Sequence, residues 1–337
     1  MKKLVLIDPN KRQLKGNIHM HTTRSDGKLP PAEIAGLYYD AGYDFLMISD
    51  HEIYWNSTEL DREDFLVLGG TETSIQMNET HRWILDYKRA ALGNDRTEHK
   101  HMHYCCIKDE SIPDVGQYFA HDEKVPRMLD RGIDSWNAQV NMMRERGNLV
   151  VINHPHWSRL DADLLLASQN ITAFEVWNSG DVVHCGGRWD EDIWDYCLRR
   201  GKKLLAVAAD DVHAATTDFA AGFTVVQTEE FTKAAICEGF KKGEFYASCG
   251  PLVKSLVIED GVLKLDCTPA RHIQIVGYDR DGFDFRNVDK SLIDHVEWKI
   301  DPTMRYFRVV IIDAEGNRAW CQPVFVEELL DAGILEK

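Results

Sequence analysis

The stretch from Ile18 to Gly27, IHMHTTRSDG, concentrates residues whose types and spacing could do chemistry. His19 and His21 alternate, so on an extended strand both imidazoles project from the same face. Two imidazoles side by side at a strand end are poor core material but form half of a metal site. An ordinary pair of surface histidines is the alternative. The rest of the chain decides between them by supplying further ligands.

Acids and histidines also follow the predicted strands farther along the chain. Apolar runs at 45–48, 149–152 and 204–208 lead into SDH, NHPH and ADDVH. Helical spacing between strands, as in 133–146 and 191–200, gives the alternation of a parallel α/β barrel, whose active site lies at the carboxyl ends of the strands. The candidate ligands collected in this way are His19, His21, Asp26, His51, Glu72, His103, His154, Asp211 and His213.

This ligand set predicts a polynuclear metal site. Nitrogen and carboxylate ligands without thiolates suit zinc, manganese, iron or nickel. Nine ligands exceed what one ion needs, and a carboxylate can bridge two ions, so we expect two or three divalent ions, Zn, Mn or Fe. Neighbouring ions acidify a shared water and hold the oxygens of a phosphoryl centre. A small anionic, phosphate-containing molecule is therefore the expected substrate.

The overall composition narrows the class of protein. The 337 residues are 44% hydrophobic and 28% charged, which allows a sizeable core. The net charge of −16 argues against a general nucleic-acid-binding surface. The apolar run near Met1 is too short for a signal peptide, and no run reaches the length of a membrane span. Eight cysteines without CxxC spacing indicate free thiols in a reduced, cytoplasmic setting.

The pattern changes near residue 250. The segment SCGP, residues 248–251, is predicted to be a boundary. Beyond it, short alternating runs are separated by DG and EG turns, which is the signature of antiparallel sheet. We therefore predict a barrel domain over residues 1–250 and a small, all-β, sandwich-like domain over residues 251–337.

Four segments in this order, IHMHTTRSDG, MISDH, INHPH and ADDVH, resemble the motifs of the PHP (polymerase and histidinol phosphatase) family over residues 15–250. The resemblance implies an α/β fold, a distorted, seven-stranded (β/α)7 TIM-like barrel of PHP type. It also implies a trinuclear site, with the first ion held by His19, His21, Glu72 and Asp211, the second by Glu72, His103 and His154, and the third by Asp26, His51 and His213. Aspartate at position 26, where some members have histidine, resembles the small phosphoesterase branch. His101 is the alternative to His103.

The expected mechanism is hydrolysis in which a hydroxide bridging the ions attacks phosphorus or a carbonyl carbon, with Glu72 and Asp211 in the catalytic set. Asp50 is expected to orient a ligand histidine or to cap a helix. His156 could protonate a leaving group. Substrate contacts, each with a surface, turn or structural role as the alternative, are predicted at Arg24, His81, Arg127, Asn178, His184 and Arg188.

Two later segments, GEFYASCGP and NRAWCQPVFV, resemble metallohydrolases related to carbaryl hydrolase, which add a β domain after a PHP barrel. Some of these proteins are assigned to ester or carbamate bonds. The predicted function is therefore a metal-dependent phosphoesterase acting on a small phosphorylated molecule. The alternatives are a carboxylic ester, carbamate or amide hydrolase using the same site, and a non-catalytic metal-binding module.

Overall fold

The structure is a computed structural model that describes residues 2–77, 100–126 and 132–336. The first 250 residues contain both strands and helices, which agrees with the predicted α/β class. The described elements there are β1 (Lys3–Ile7), β2 (Arg12–Asn17), α1 (Pro31–Asp40), β3 (Phe45–Met47), β4 (Leu66–Leu68), β5 (Gly70–Met77), β6 (Lys100–Lys108), α2 (Ile133–Glu145), β7 (Asn148–Ile152), α3 (Ala162–Ala167), β8 (Ala173–Asn178), α4 (Ser179–His184), α5 (Glu191–Arg199), β9 (Leu205–Ala209), β10 (Phe223–Thr228), α6 (Lys233–Lys242) and β11 (Phe245–Ser248).

The remaining residues are mostly strands, which confirms the predicted change of pattern. They form β12 (Val253–Glu259), β13 (Val262–Ala270), β14 (His272–Gly277), β15 (Gly282–Phe285), β16 (Ile293–Lys299), β17 (Tyr306–Ile312), β18 (Arg318–Cys321), β19 (Val324–Phe325) and α7 (Val326–Asp331). All the pairings among these strands are antiparallel. Within the described residues, no helix combines the length and apolar character that crossing a membrane requires.

Sequence signals account for the ends of the helices. Pro31 stands in the first turn of α1, where its missing N–H removes no helical hydrogen bond. Helix α6 begins at Thr232, whose side chain accepts a hydrogen bond from the backbone N–H of Ala235. It ends at Gly243, which has a φ of 73° and so takes the left-handed conformation that favours glycine.

One sheet contains five strands in the order β5-β6-β7-β8-β9. Strand β6 runs antiparallel to β5 and β7, whereas β7, β8 and β9 are parallel. This sheet is therefore mixed, whereas the strand–helix alternation predicted parallel strands. Every residue of β7 is buried, as expected of a strand covered on both faces.

A second sheet runs from the first part of the chain into the last. Strands β2, β3 and β4 are parallel, and β10 and β11 continue the sheet from β2 by antiparallel pairing. Strand β11 then pairs with β18, while β1 pairs with β12 in a separate four-stranded sheet. Because strands from both sides of residue 250 share sheets, the proposed division into two domains stays a prediction.

Backbone contacts beyond the strand ends join the two larger sheets. Met20, after β2, forms an isolated parallel bridge with Val212, after β9. His51, after β3, forms a similar bridge with Glu72 in β5. These bridges lie at the segments that carry the candidate ligands, so the backbone itself brings those segments together.

Candidate metal centre

Glu72 lies at the middle of the candidate site. The predicted position was just past a strand, but the residue is inside β5 and only 1% of its side chain is exposed. Five ring nitrogens lie 3.0–3.4 Å from its two carboxylate oxygens, those of His19, His21, His51, His103 and His154. Oε2 faces the first three rings and Oε1 the other two. A carboxylate placed in this way can contact two different cations at once.

Asp211 supplies a second carboxylate to the same centre. Its Oδ1 lies 3.3 Å from His19 Nε2 and 3.2 Å from His21 Nε2, and its Oδ2 lies 3.7 Å from His154 Nε2. Asp211 has a φ of 57° and His154 a φ of 27°, both in the left-handed region. Such conformations cost roughly 1–3 kcal/mol each, so the surrounding contacts hold these two backbones in place.

A third group of side chains lies nearer the solvent. Asp26 Oδ2 is 3.4 Å from His213 Nε2 and 3.6 Å from His51 Nε2, and Asp26 Oδ1 is 3.6 Å from His21 Nδ1. The side chain of Asp26 is 55% exposed, in contrast to that of Glu72. The group is therefore accessible from outside.

The structure brings all nine predicted ligands together. Their donor atoms fall into four overlapping groups within which all atoms lie within 4.8 Å of one another, namely His21, Asp26, His51 and His213; His19, His21 and Asp211; His19, Glu72 and His154; and His51, Glu72 and His103. Glu72 is the carboxylate shared by two of these groups, and a shared carboxylate can contact two neighbouring ions at once.

The donor chemistry fits divalent cations. His19 Nε2 and His21 Nε2 lie 3.3 Å apart, next to both carboxylates. Because His19 Nδ1 lies 2.7 Å from Glu175 Oε1, the ring is set to donate there and to direct the lone pair of Nε2 at the centre. The Nδ1 atom of His21 is buried and has no hydrogen-bond partner among the described residues. This atom faces Asp26, and a cation there would use a lone pair that the protein itself leaves unmatched.

The electrostatics of the centre favour positive charge. Burial alone would lower the pKa of His19 and His21, but nearby carboxylates outweigh it, raising the pKa of His19 well above its usual value and that of His21 to about 9. Burial would raise the pKa of Glu72 and Asp211, but the surrounding imidazoles hold both well below their usual range. At His51 burial dominates and lowers the pKa to about 4. Ionised carboxylates beside crowded imidazoles are the state that a divalent ion would bind.

Glu175 supports the centre and was not among the residues predicted from the sequence. This residue of β8 has a fully buried side chain. Besides the contact with His19, its Oε2 accepts hydrogen bonds from the backbone N–H of His154 and from Asn178 Nδ2, both at 2.8 Å. The sequence did contain a signal for Glu175, which lies between apolar residues in the strand AFEVWN. Burying a carboxylate in a core costs free energy unless it has hydrogen-bond or charge partners.

Asn178, predicted as a substrate contact or a turn residue, caps a helix and contacts a candidate ligand, and it is not among the residues that line the cavity. Its side chain oxygen accepts a hydrogen bond from the backbone N–H of Asp181 at 2.9 Å and so caps α4. Its amide nitrogen lies 3.3 Å from Asp211 Oδ2. Asn178 therefore ties the start of a helix to a candidate ligand.

Asp50 holds the loop that carries Asp26. Its buried carboxylate accepts hydrogen bonds from Thr22 N–H at 2.8 Å, Thr22 Oγ1 at 2.7 Å and Ser25 Oγ at 2.8 Å. Arg24 Nη1 lies 3.3 Å from the same carboxylate. Among the described residues, the carboxylate of Asp50 therefore contacts a loop. The prediction was that it would orient a ligand histidine or cap a helix. The loop turns back over Asp50 and covers it.

Close packing within this loop explains its glycine. Gly27 N–H bonds to the carbonyl of Thr22 at 2.9 Å, and the next residue, Lys28, bonds to the carbonyl of His213 at 2.7 Å. A Cβ at Gly27 would lie 2.4 Å from the carbonyl oxygen of His21. Only glycine permits this approach, which brings Asp26 toward His213.

A cavity of about 390 Å³ opens over the candidate ligands. Its walls include Trp157, Asp181, His184, Cys185 and Asp218. No lysine or arginine lines it within the described ranges. The Trp157 ring is packed edge to face against His154, with ring centroids 4.9 Å apart, and against His103 at 5.4 Å. Trp157 was not predicted from the sequence, although it lies three residues after a candidate ligand.

The residues predicted to contact the substrate do not all lie at the cavity over the candidate ligands. His184 lies on the cavity wall. Arg24 is occupied by Asp50, the Tyr54 carbonyl and Asp122, the last at 2.6 Å, which explains why it does not line the cavity. Arg188 lies in a neighbouring depression of about 490 Å³. His81 and Arg127 lie outside the described residues.

His156 does not line the main cavity, contrary to the role predicted for it. It shares the neighbouring depression with Arg188 and Arg159. Its Nδ1 lies 3.0 Å from Oδ2 of Asp181, and Asp181 lines the main cavity. The carboxylate of Asp181 therefore separates the imidazole from the space over the ligands.

No protein-family model and no curated protein matches the chain. Solved structures are similar at low identity. A two-domain protein from Bacteroides vulgatus, containing a predicted PHP-like metal-dependent phosphoesterase, has a TM-score of 0.47 and 13% identity, with 94% of this chain and 96% of that chain covered. A proposed metal-dependent phosphoesterase from Bifidobacterium adolescentis has a TM-score of 0.37 and 14% identity, covering 59% of this chain and 87% of that one.

An amidohydrolase from Chromobacterium violaceum, with bound sulfate and no metal, has a TM-score of 0.33 and 13% identity, with 60% of this chain and 89% of that chain covered. These values establish neither a family nor an activity for this chain. What the chain itself defines is an α/β protein of mixed sheets with histidines and carboxylates converging at one cavity.

Proposed function

We propose that the protein is a metal-dependent hydrolase of PHP type, a phosphoesterase that cleaves a small phosphorylated molecule with the aid of two or three divalent ions, Zn, Mn or Fe. The observation that carries the proposal is the position of Glu72. Its two oxygens face different sets of imidazoles, and a second carboxylate, that of the partly buried Asp211, lies against one of those sets. The carboxylate of Glu72 is buried where only cations or protons could neutralise it.

The ligand sets proposed are the three implied by the sequence motifs. When bound, the ions would acidify a water molecule and stabilise the oxyanion that develops during hydrolysis. Glu175 fixes the ring of His19 so that Nε2 points to the centre. Asn178 holds the carboxylate of Asp211. Asp50 keeps the loop of Asp26 closed over the same space.

The proposal includes a distorted barrel built from β2, β3 and the five strands β5–β9. The two isolated bridges support it, because one joins the end of β2 to the end of β9 and the other joins the end of β3 to β5. Together they connect both edges of the five-stranded sheet to the second sheet. The β domain and the relation to carbaryl-hydrolase-related proteins belong to the same proposal.

A specific observation favours a second candidate, a hydrolase of carboxylic esters, carbamates or amides. A phosphate monoester carries about two negative charges near neutral pH. The described lining of the cavity offers it no lysine or arginine. A neutral acyl substrate would need no such partner, and the same centre would polarise its carbonyl group.

The test offers matched substrates to protein prepared with manganese, iron or zinc. The panel is p-nitrophenyl phosphate, bis(p-nitrophenyl) phosphate and p-nitrophenyl acetate. We expect phosphate-ester turnover that falls at least about 100-fold in Glu72→Gln and Asp211→Asn. Glu145→Gln, at an exposed position of α2, is the control and should retain wild-type turnover.

Three results would change the conclusion. Turnover of the acetate ester alone would put the second candidate first. Fewer than two ions per chain by elemental analysis would overturn the polynuclear site. Bound metal without turnover of any ester would leave a metal-binding module instead of an enzyme.

A further inference from the structure

The wall of the cavity carries a histidine–carboxylate pair opposite the candidate ligands. His184 is the last residue of α4, and Asp218 lies in the loop between β9 and β10. His184 Nε2 is 3.3 Å from Asp218 Oδ2. Both residues line the cavity that also contains Glu72 and Asp211. Neither belongs to the candidate ligand groups.

The two side chains differ in exposure as a catalytic pair requires. The Asp218 side chain is 5% exposed, whereas that of His184 is 50% exposed. The other carboxylate oxygen of Asp218 accepts a hydrogen bond from Thr216 Oγ1. A buried carboxylate that contacts one ring nitrogen fixes the orientation of an imidazole and stabilises its protonated form. The accessible part of His184 can then reach a molecule in the cavity.

Helix α4 fixes the distance of His184 from the centre. Its N-terminal cap is Asn178, which contacts Asp211. Six residues of α-helix rise about 9 Å, so His184 lies at the opposite end of α4 from the residue that contacts Asp211. The cavity between His184 and the candidate ligands can hold an ester whose phosphorus lies at the candidate centre and whose leaving group points toward His184.

Other groups on the wall are less suited to give up a proton. Asp181 is held at 3.0 Å from His156, and its side chain is 2% exposed. The thiol of Cys185 has its pKa raised by burial and by the neighbouring carboxylate of Asp181. The remaining titratable groups of the described lining, such as His213 and Asp26, belong to the ligand groups.

We propose that His184 is the general acid of the reaction and that Asp218 is its positioning residue, a proposal that rests on the proposed function. Water supplies a hydroxyl to phosphorus, and the bond between phosphorus and the leaving oxygen breaks. The imidazolium N–H of His184 gives its proton to that oxygen, which leaves as an alcohol. The proton lost by the attacking water passes to solvent, and His184 takes a proton back from solvent.

The test compares leaving groups in the metal-loaded protein. p-Nitrophenolate departs without a proton, whereas phenol and ethanol need one. We expect His184→Gln to lower kcat for phenyl and ethyl phosphate about 100-fold or more, and for p-nitrophenyl phosphate less than about threefold. Asp218→Asn should give the same pattern to a smaller degree. Imidazole in the buffer should restore phenyl phosphate turnover by His184→Ala.

Binding is measured separately, by calorimetry with phenylphosphonate. We expect His184→Gln to bind it within about threefold of wild type, with unchanged metal content. The control is His295→Gln. Like His184, His295 is about half exposed, at 51%, and lies close to a carboxylate, 2.8 Å from that of Asp266. It is in β16, however, and does not line the cavity. This control should keep wild-type kcat for every ester.

The outcomes separate this inference from the proposed function. An equal loss for all leaving groups, or no loss, overturns the role of His184 while the wild type still hydrolyses phosphate esters. If the wild type cleaves only acyl esters, aryl and alkyl acetates replace the phosphate esters as substrates. The loss of kcat in His184→Gln for good and poor leaving groups then decides the role of His184 in the same way. A wild type that cleaves no ester overturns both proposals.

Discussion

His19 Nδ1 lies 2.7 Å from Glu175 Oε1, and both side chains are fully buried. The same carboxylate receives the backbone N–H of His154 through its other oxygen. One acid of β8 therefore orients candidate ligands from two separate segments of the chain. Such carboxylate–histidine pairs fix the ring tautomer and raise the basicity of the nitrogen that faces a metal.

We expect Glu175→Gln to weaken metal binding about 10–100-fold, because the amide cannot support His19 with a negative charge. Competition with a chromophoric chelator measures the affinity. Glu145→Gln removes an exposed carboxylate from α2 and should leave the affinity unchanged. Equal affinity of wild type and Glu175→Gln would mean that the pair has no influence on the centre.

The loop around Asp50 gives a second prediction. Asp50→Asn replaces a buried carboxylate that accepts bonds from Thr22 and Ser25 and faces Arg24. We expect the free energy of unfolding to fall by about 2–4 kcal/mol, since an amide leaves a donor without a partner and a cation without its charge. Urea denaturation measures it.

The matched control for the loop is Asp122→Asn. Asp122 also contacts Arg24, at 2.6 Å, but is 67% exposed. An exposed ion pair contributes about 0–1 kcal/mol, so this variant should be close to wild type. If both variants lose the same stability, burial of Asp50 is not what matters.

The sequence predicts the ligands because most of them lie in short motifs at or just beyond a strand end, although Glu72 and His103 lie inside β5 and β6. Strands such as Phe45–Met47 and Leu205–Ala209 are apolar runs with polar ends, and these runs specify strands locally. The direction of β6 was not predictable, since it depends on the path of the chain between β5 and β6, where residues 78–99 show no periodicity.

The residues that support the ligands were harder to predict. Glu175 and His19 are 156 positions apart, so no local pattern links them. Arg24 has the right chemistry for a phosphate but contacts Asp50 and Asp122. His156 shares a motif with His154, yet its ring faces a different depression. The direction of a side chain depends on neighbours that only the fold supplies.

An ion cluster around the buried Arg308 joins the C-terminal strands to α5 and gives a third prediction. Arg308 of β17 is 1% exposed, and its guanidinium lies 2.9 Å from Asp195 and 2.8 Å from Glu191. Arg308→Met would leave both carboxylates without this partner. We expect a loss of about 3–5 kcal/mol in the free energy of unfolding.

Urea denaturation again provides the measurement for Arg308→Met. The control is Arg286→Met, because Arg286 is 65% exposed and its nearest carboxylate oxygen, on Asp284, is 3.5 Å away. The control should change stability by less than about 1 kcal/mol. A small effect of Arg308→Met would show that packing, and not the ion cluster, joins the two parts.

The last prediction concerns pH and Asp190, which precedes α5. Burial raises the pKa of this carboxyl to about 8, although the backbone N–H of His156 donates to it at 3.3 Å. The folded protein therefore keeps the Asp190 proton at pH values where the unfolded chain, with an ordinary pKa near 4, has lost it. Because the folded state binds more protons over this interval, the group makes stability fall as pH rises from about 4 to about 8.

Asp190→Asn removes this dependence while keeping an oxygen for the hydrogen bond from His156. We expect the difference in unfolding free energy between about pH 5 and pH 8 to become less negative in the variant, by at most about 1.4 kcal/mol for each pH unit of that interval. Urea denaturation at both pH values, on metal-free protein, measures it. The same substitution at Asp192, on the solvated start of α5, should leave the slope unchanged. Parallel pH profiles for wild type and Asp190→Asn would show that Asp190 is ionised in the folded protein.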